Sequence, residues 1–193
     1  MLNKLYIMEL LIEPYQKAIY EWPQQGEVIL AQFDDDGIWV YQSFKTEIAL
    51  YAVENQRFEG CPVYNETRMT WIKTNFLWMQ YRNGWCSKHN QERCLAIKLK
   101  RLYFDRLVEA AIKREGNIRF QWDPDHTPEG GNCRRRALQL GIRKKWSRGL
   151  ATGADVLQII DITDFIKSQK MNISKEKKHL LMVPIERPYN IHV

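Results

Sequence analysis

Between Arg68 and Trp85 the chain reads Arg68-Met69-Thr70-Trp71-Ile72-Lys73-Thr74-Asn75-Phe76-Leu77-Trp78-Met79-Gln80-Tyr81-Arg82-Asn83-Gly84-Trp85. No other stretch restricts the fold so strongly. Trp71, Trp78 and Trp85 recur seven residues apart, so the fold must either bury a large aromatic surface here or present it to a ligand. Thr74 and Asn75 can accept from free N–H groups at a helix start, and Gly84 suits a left-handed helix exit, which predicts a short helix over 76–82. Arg68, Lys73 and Arg82 are interleaved with the indoles. Flat π surfaces beside fixed cations suit a nucleobase that stacks and a phosphate that needs neutralising. The same pattern suits a core helix whose Arg82 is paired to an acid.

Strand and helix signals alternate irregularly around this run. Residues 27–33 and 38–41 read as strands on either side of the turn signal Asp34-Asp35-Asp36-Gly37. From Lys45 onward Ile48, Ala49, Tyr51, Ala52 and Val53 cover one face of a helix that ends before Phe58. Residues 93–99 predict a strand, and 103–114 a helix whose Leu107, Val108, Ala111 and Ile112 form its buried stripe. Residues 118–122 and 136–142 alternate as strands around a turn-rich 123–132. Residues 156–162 are apolar and β-branched, with a helical turn over 163–167, and 179–185 is a closing strand. Such irregular connections exclude a regular βαβ ladder and predict a compact α+β domain with mixed or antiparallel sheets flanked by helices. Residues 1–22 read as an amphipathic helix or arm, and 23–193 as the single domain, with a mobile lysine-rich loop near 168–178.

With 193 residues, 45% of them hydrophobic, one core is expected. Charge is uneven. Residues 1–96 carry 9 basic and 12 acidic groups, a net of −3, whereas 97–193 carry 20 and 11, a net of +9. The second half therefore faces an anionic partner better, RNA or DNA included. Its densest part is Arg134, Arg135, Arg136, Arg143, Lys144, Lys145 and Arg148, seven cations in fifteen residues without an acid. This is either a phosphate-binding stripe or a solvated basic edge. On a strand over 136–142, Gln139 and Arg143 share a face and Gly141 lets a ligand come close.

Cys61, Cys86, Cys94 and Cys133 lack metal-ligand spacing and read as reduced thiols, and no metal is expected. No stretch approaches the roughly 20 apolar residues of a membrane span, which places the chain in the cytoplasm or nucleus. Trp122-Asp123-Pro124-Asp125-His126 offers two carboxylates and an imidazole for acid–base or metal chemistry, or ordinary turn residues. The phosphate-cradling, dinucleotide-binding, nucleophile-elbow and zinc-protease motifs are missing, which disfavours kinases, P-loop NTPases, Rossmann dehydrogenases and typical α/β hydrolases.

The aromatic run, together with Tyr41-Gln42-Ser43-Phe44, Glu47-Ile48-Ala49, Gln91-Glu92-Arg93, Gln121-Trp122-Asp123-Pro124, the stretch from Arg136 to Arg143 and the closing Pro184-Ile185-Glu186-Arg187-Pro188-Tyr189, resembles a widespread family of bacterial and eukaryotic proteins long labelled only as a domain of unknown function. The matches span 38–189. The strand, the Tyr41-Gln42 pair and the following helix also resemble the opening of the ADP-ribosyltransferase fold. That resemblance implies NAD as a dinucleotide substrate, with Tyr41 and Gln42 on the nicotinamide ribose or amide. It implies Trp71, Lys73, Tyr81 and Arg82 as the pocket wall, with Arg68 and Gln139 as catalytic candidates. Gln139 stands where such enzymes usually carry glutamate, and a neutral amide can bond a ribose hydroxyl but cannot offset positive charge. The implied activity is transfer of ADP-ribose from NAD to an acceptor such as a nucleic acid. The other expectation is a non-catalytic nucleic-acid-binding module that uses the basic segment and exposed tryptophans. Burial of Trp71, Trp78 and Trp85 distinguishes a pocket wall from an open platform.

Overall fold

A computed structural model describes residues 5–7 and 10–191. In chain order the elements are β1 (Leu5–Ile7), β2 (Leu10–Pro14), α1 (Tyr15–Glu21), β3 (Gln25–Glu27), β4 (Leu30–Ala31), β5 (Gly37–Phe44), α2 (Thr46–Asn55), β6 (Thr70–Lys73) and α3 (Phe76–Asn83). They continue with β7 (Arg93–Lys100), α4 (Arg101–Ile112), β8 (Ile118–His126), β9 (Asn132–Ile142), α5 (Arg148–Thr152), β10 (Val156–Asp161), α6 (Thr163–Lys170), β11 (Met182–Pro184) and β12 (Arg187–Pro188). The class is α+β, and none of the sheets closes into a barrel.

The main sheet runs β10-β7-β5-β6-β9. On one edge of β9 lie β6 and, parallel to it, the short β3; β8 pairs with β9 from 118 to 142 along the other edge. Side chains alternate across this sheet, because successive residues of a strand point to opposite faces. Ile38, Val40, Ile72, Leu138, Leu140 and Ile142 face α2 and α4, meeting Ala49, Ala52, Phe104, Leu107 and Val108. Trp39, Tyr41 and Ala96 face the other way, onto Phe76, Leu77 and Met79 of α3 and Ile166 of α6.

α3 has the predicted ends. Asn75 Oδ1 accepts from the Trp78 N–H at 2.8 Å, and Gly84 takes the left-handed conformation (φ 64°) at the exit. Three expectations are corrected. The described part of residues 1–22 is mainly a hairpin followed by a helix: β2 pairs with both β1 and β11, Leu10 is buried, and the Trp22 indole N–H donates to the Glu186 carbonyl. The remainder of that arm lies outside the described residues. The turn expected over 123–132 is confined to 127–131, since β8 runs to His126 and β9 begins at Asn132. Pro124 is tolerated there because β8 is an edge strand with one partner. Finally, α6 continues to Lys170, and a short 3-10 turn at Lys178–Leu180 precedes β11, so the lysine-rich segment is partly helical.

Candidate functional site

β5 and β6 share a single register pair, Tyr41 with Lys73, although each pairs extensively with its other neighbour. Beyond that pair the two strands part, and the Gln42 side chain spans the opening. Its Nε2 donates to the Trp71 carbonyl at 2.9 Å and to Thr70 Oγ1 at 2.6 Å. Since a carbonyl only accepts, the amide orientation is fixed, and Gln42 Oε1 is left buried without a donor.

A cleft of about 740 Å³ occupies this parting. Gln42, Ser43 and Phe44 of β5, Thr70, Trp71 and Lys73 of β6, Met79 and Arg82 of α3 and Gln139 of β9 line it, together with Arg68, Met69, Tyr64 and Asn65 from the preceding loop. Its charged lining is Lys45, Arg68, Lys73 and Arg82, and no carboxylate contributes. Lys45 is paired with Glu47 at 3.0 Å; no carboxylate of the described residues lies within ion-pair distance of the other three.

Lys73 is only 6% exposed. Burial, reinforced by the positive charge of Arg82, lowers its ammonium from 10.5 to about 8. The Trp78 ring lies 5.3 Å from its Nζ. Trp71 is half-buried and its indole covers Gly141: a Cβ at that glycine would lie 2.8 Å from the ring and 2.7 Å from Met69 Sδ. Gly141 thus admits the tryptophan, where the sequence suggested close approach of a ligand.

Six of the residues singled out from the sequence, Gln42, Arg68, Trp71, Lys73, Arg82 and Gln139, therefore meet in one cleft. Tyr41 does not. Strand alternation turns it into the core beneath α3, where it is wholly buried and edge-on to Phe76 at 5.8 Å. Burial first, and then the nearby Glu186 carboxylate, raise its phenol well above 10. Tyr81 also points away, because helical spacing puts Met79 and Arg82 on the cleft side; its ring stacks on His126 at 3.4 Å. Trp78 and Trp85 are buried, so they form no open stacking platform.

The basic segment does not form one patch. Arg134, in β9, and Arg143, just past its end, are nine residue steps apart, about 30 Å at the usual rise. Arg135 is buried against Asp125, its guanidinium 2.5 Å from the carboxylate, with Arg135 Nη1 donating to the Pro23 carbonyl at 2.7 Å. Arg143 bonds Asn117, Lys145 lies over the Trp146 ring and Arg148 is bridged to Glu59 and Glu66. Lys144 and Arg134 are exposed at opposite ends. Nor is 123–126 a turn or an acid–base dyad open to solvent: Asp125 is wholly buried, accepting from Arg135 and from Asn75 Nδ2. Among the described residues no group of three or more His, Cys, Asp or Glu is arranged to hold a metal ion, and no helix is long and apolar enough to cross a membrane.

Two overlapping stretches, residues 28–117 and 113–189, match the model of the family described as Domain of unknown function (DUF4291). The chain belongs to that family. The region matched by DUF4291 contains every residue of the cleft and leaves out the N-terminal hairpin and α1. No curated protein matches the chain.

The sequence pointed at the cleft's basic and aromatic residues but gave no role to Lys45, Tyr64, Asn65, Met69 or Met79. Two of these, Met69 and Met79, stand inside the aromatic run; the others sit in connections whose folding back depends on tertiary packing. Glu186 was missed as well. It is buried behind Tyr41, and its Oε1 accepts the Phe76 N–H at the start of α3 at 2.7 Å.

Proposed function

We propose that the cleft binds NAD and that the protein is an ADP-ribosyltransferase-like enzyme, transferring ADP-ribose to an acceptor, with nucleic acid among the candidates. The observation that carries this reading is the charge of the lining: four cations and no carboxylate, with Lys73 buried and lacking a counter-ion among the described residues. Leaving a buried cation unpaired is costly, and an anion bound in the cleft offsets that cost. Arg68 and Arg82, free of ion pairs among the described residues, suit a diphosphate, since guanidinium forks match phosphate oxygens. Trp71 supplies a half-exposed flat face. The orphaned Gln42 Oε1 calls for an N–H donor, which a carboxamide provides.

In this reading Gln139 bonds a ribose hydroxyl. Because it is neutral, the positive charge that develops as nicotinamide departs gains no carboxylate from the lining, which favours slow turnover or strong dependence on the acceptor. Incubation with NAD labelled in the nicotinamide ring, alone and with RNA, DNA or protein, tests the activity. Calorimetric titration with NAD, ADP and inorganic phosphate tests the site. The expected result is binding of NAD and ADP, weaker binding of phosphate, and nicotinamide release. Absence of both NAD binding and nicotinamide release refutes the reading.

A further inference from the structure

Of the fifteen lysines in the chain, Lys73 is the one that the described structure buries. It sits at the base of the parting between β5 and β6, on the register pair that holds those strands together, and it lines the cleft. The titratable groups facing it come from three elements: Arg82 on α3, Asp123 on β8 and Cys94 on β7. None forms an ion pair with it. A carboxylate that clamps a lysine keeps its amine protonated and unreactive, and this one has no such clamp. An amine withdrawn from water and placed beside another cation is the arrangement that turns lysine into a nucleophile.

We infer that Lys73 is the nucleophile of this cleft and forms an imine with anionic aldehydes, such as the ring-opened form of a phosphorylated sugar. The neutral ε-amine adds its lone pair to the carbonyl carbon, forming the C–N bond. The carbonyl oxygen gains a proton as the nitrogen loses one. The resulting carbinolamine expels water to leave the C=N bond. Amine plus aldehyde gives imine plus water, with no change of oxidation state. Arg68 and Arg82 supply the attraction for the phosphate, so anionic aldehydes are taken ahead of neutral ones. An ammonium lowered to about 8 leaves a substantial neutral fraction at neutral pH, far more than an exposed lysine has. The inference needs the cleft and its cations but does not need NAD as occupant.

The test uses the full chain with pyridoxal 5′-phosphate as probe, followed by sodium borohydride, which reduces the imine to a stable secondary amine, and peptide mapping by mass spectrometry. Pyridoxal without its phosphate runs in parallel. At less than one equivalent of probe and pH 7.5, Lys73 is expected to carry the label at least ten-fold above exposed lysines such as Lys113 and Lys170, with pyridoxal several-fold slower. Replacing Arg82→Gln moves the midpoint of the labelling–pH profile upward, because a charge that favours the neutral amine is removed; a merely structural role leaves that midpoint in place. Label spread over exposed lysines with Lys73 spared, equal rates for the two probes, or an unmoved midpoint overturns the inference. Labelling proceeds without NAD, so failure of NAD to bind while Lys73 reacts refutes the dinucleotide reading alone.

Discussion

Arg135 closes on Asp125 at 2.5 Å across the β8–β9 pair, with both side chains shut away from water. The same carboxylate accepts from Asn75, the residue that caps α3, so the pair ties the sheet edge to the helix that walls the cleft. Asp125→Ala leaves a buried guanidinium unpaired and is expected to cost about 3–5 kcal/mol in urea unfolding. The double variant Asp125→Ala with Arg135→Met removes both charges and is expected to recover most of that loss. Equal stability of the single and double variants refutes the coupling.

Gln42 holds the parting strands through two hydrogen bonds of its Nε2. Leucine has similar bulk but leaves the Trp71 carbonyl without that donor. Gln42→Leu is expected to lower unfolding stability by about 1–3 kcal/mol and to weaken nucleotide binding together with it. Unchanged stability in urea contradicts the bridging role.

The packing of Trp71 over Gly141 leaves no room for a methyl group. Gly141→Ala has no backbone penalty at that extended position, so its effect reads the contact alone. We expect a loss of about 1–3 kcal/mol and a red-shifted tryptophan emission as the indole is displaced toward solvent. Wild-type emission and stability contradict this close packing.

These three sites also show how far the sequence can be read. The α3 segment was legible because its signals are local: an Asn cap and a glycine exit bound one short helix, although of the three regularly spaced indoles only Trp78 lies in it. The strands were legible by alternation; four cleft residues, Arg68, Trp71, Lys73 and Arg82, followed from charge and aromatic type, whereas Gln42 came from the family resemblance and Gln139 from strand alternation and that resemblance. Tyr41 and Arg135 were misplaced for one reason. Which face of a strand meets the cleft, and which arginine finds a buried acid, depends on partners such as Phe76 and Asp125, which lie 35 and 10 residues away in the chain. The turn residues Asp123 and Pro124 misled because an edge strand accepts what a central strand rejects. The parting of β5 from β6, which creates the cleft, is a property of pairing between strands and has no local signature.

Glu186 makes stability depend on pH. Its carboxyl is buried and has no ion pair among the described residues; burial raises its pKa well above 4.5, opposed by the Phe76 N–H. A raised native pKa means that the stabilising contribution is complete below the unfolded value of 4.5 and is lost as pH rises through the native value. Glu186→Gln keeps an acceptor for the Phe76 N–H and cannot ionise. The variant is therefore expected to gain on the wild type as pH increases from 5 to 8, by about 1.4 kcal/mol for each unit of pKa elevation covered. A constant difference across that range in urea titrations means that native Glu186 is ionised like the unfolded residue, and refutes the raised pKa.

Arg68 and Arg82 approach the cleft from different elements, a loop and α3, and neither has a carboxylate partner among the described residues. Their positive charge is therefore available to a ligand, which predicts that each contributes separately. Arg68→Ala and Arg82→Ala are each expected to lower ADP affinity by about ten-fold, the effect of losing one charge-assisted hydrogen bond. Because two changes on separate elements share no contact except the ligand, the double variant should lose about a hundred-fold if the effects add. Binding of ADP should also weaken with added salt, and less steeply in each variant. Arginine-to-alanine changes that leave affinity and its salt dependence intact place the anion elsewhere. Loss in one variant only assigns the phosphates to that arginine, with the other left as a solvated wall of the cleft.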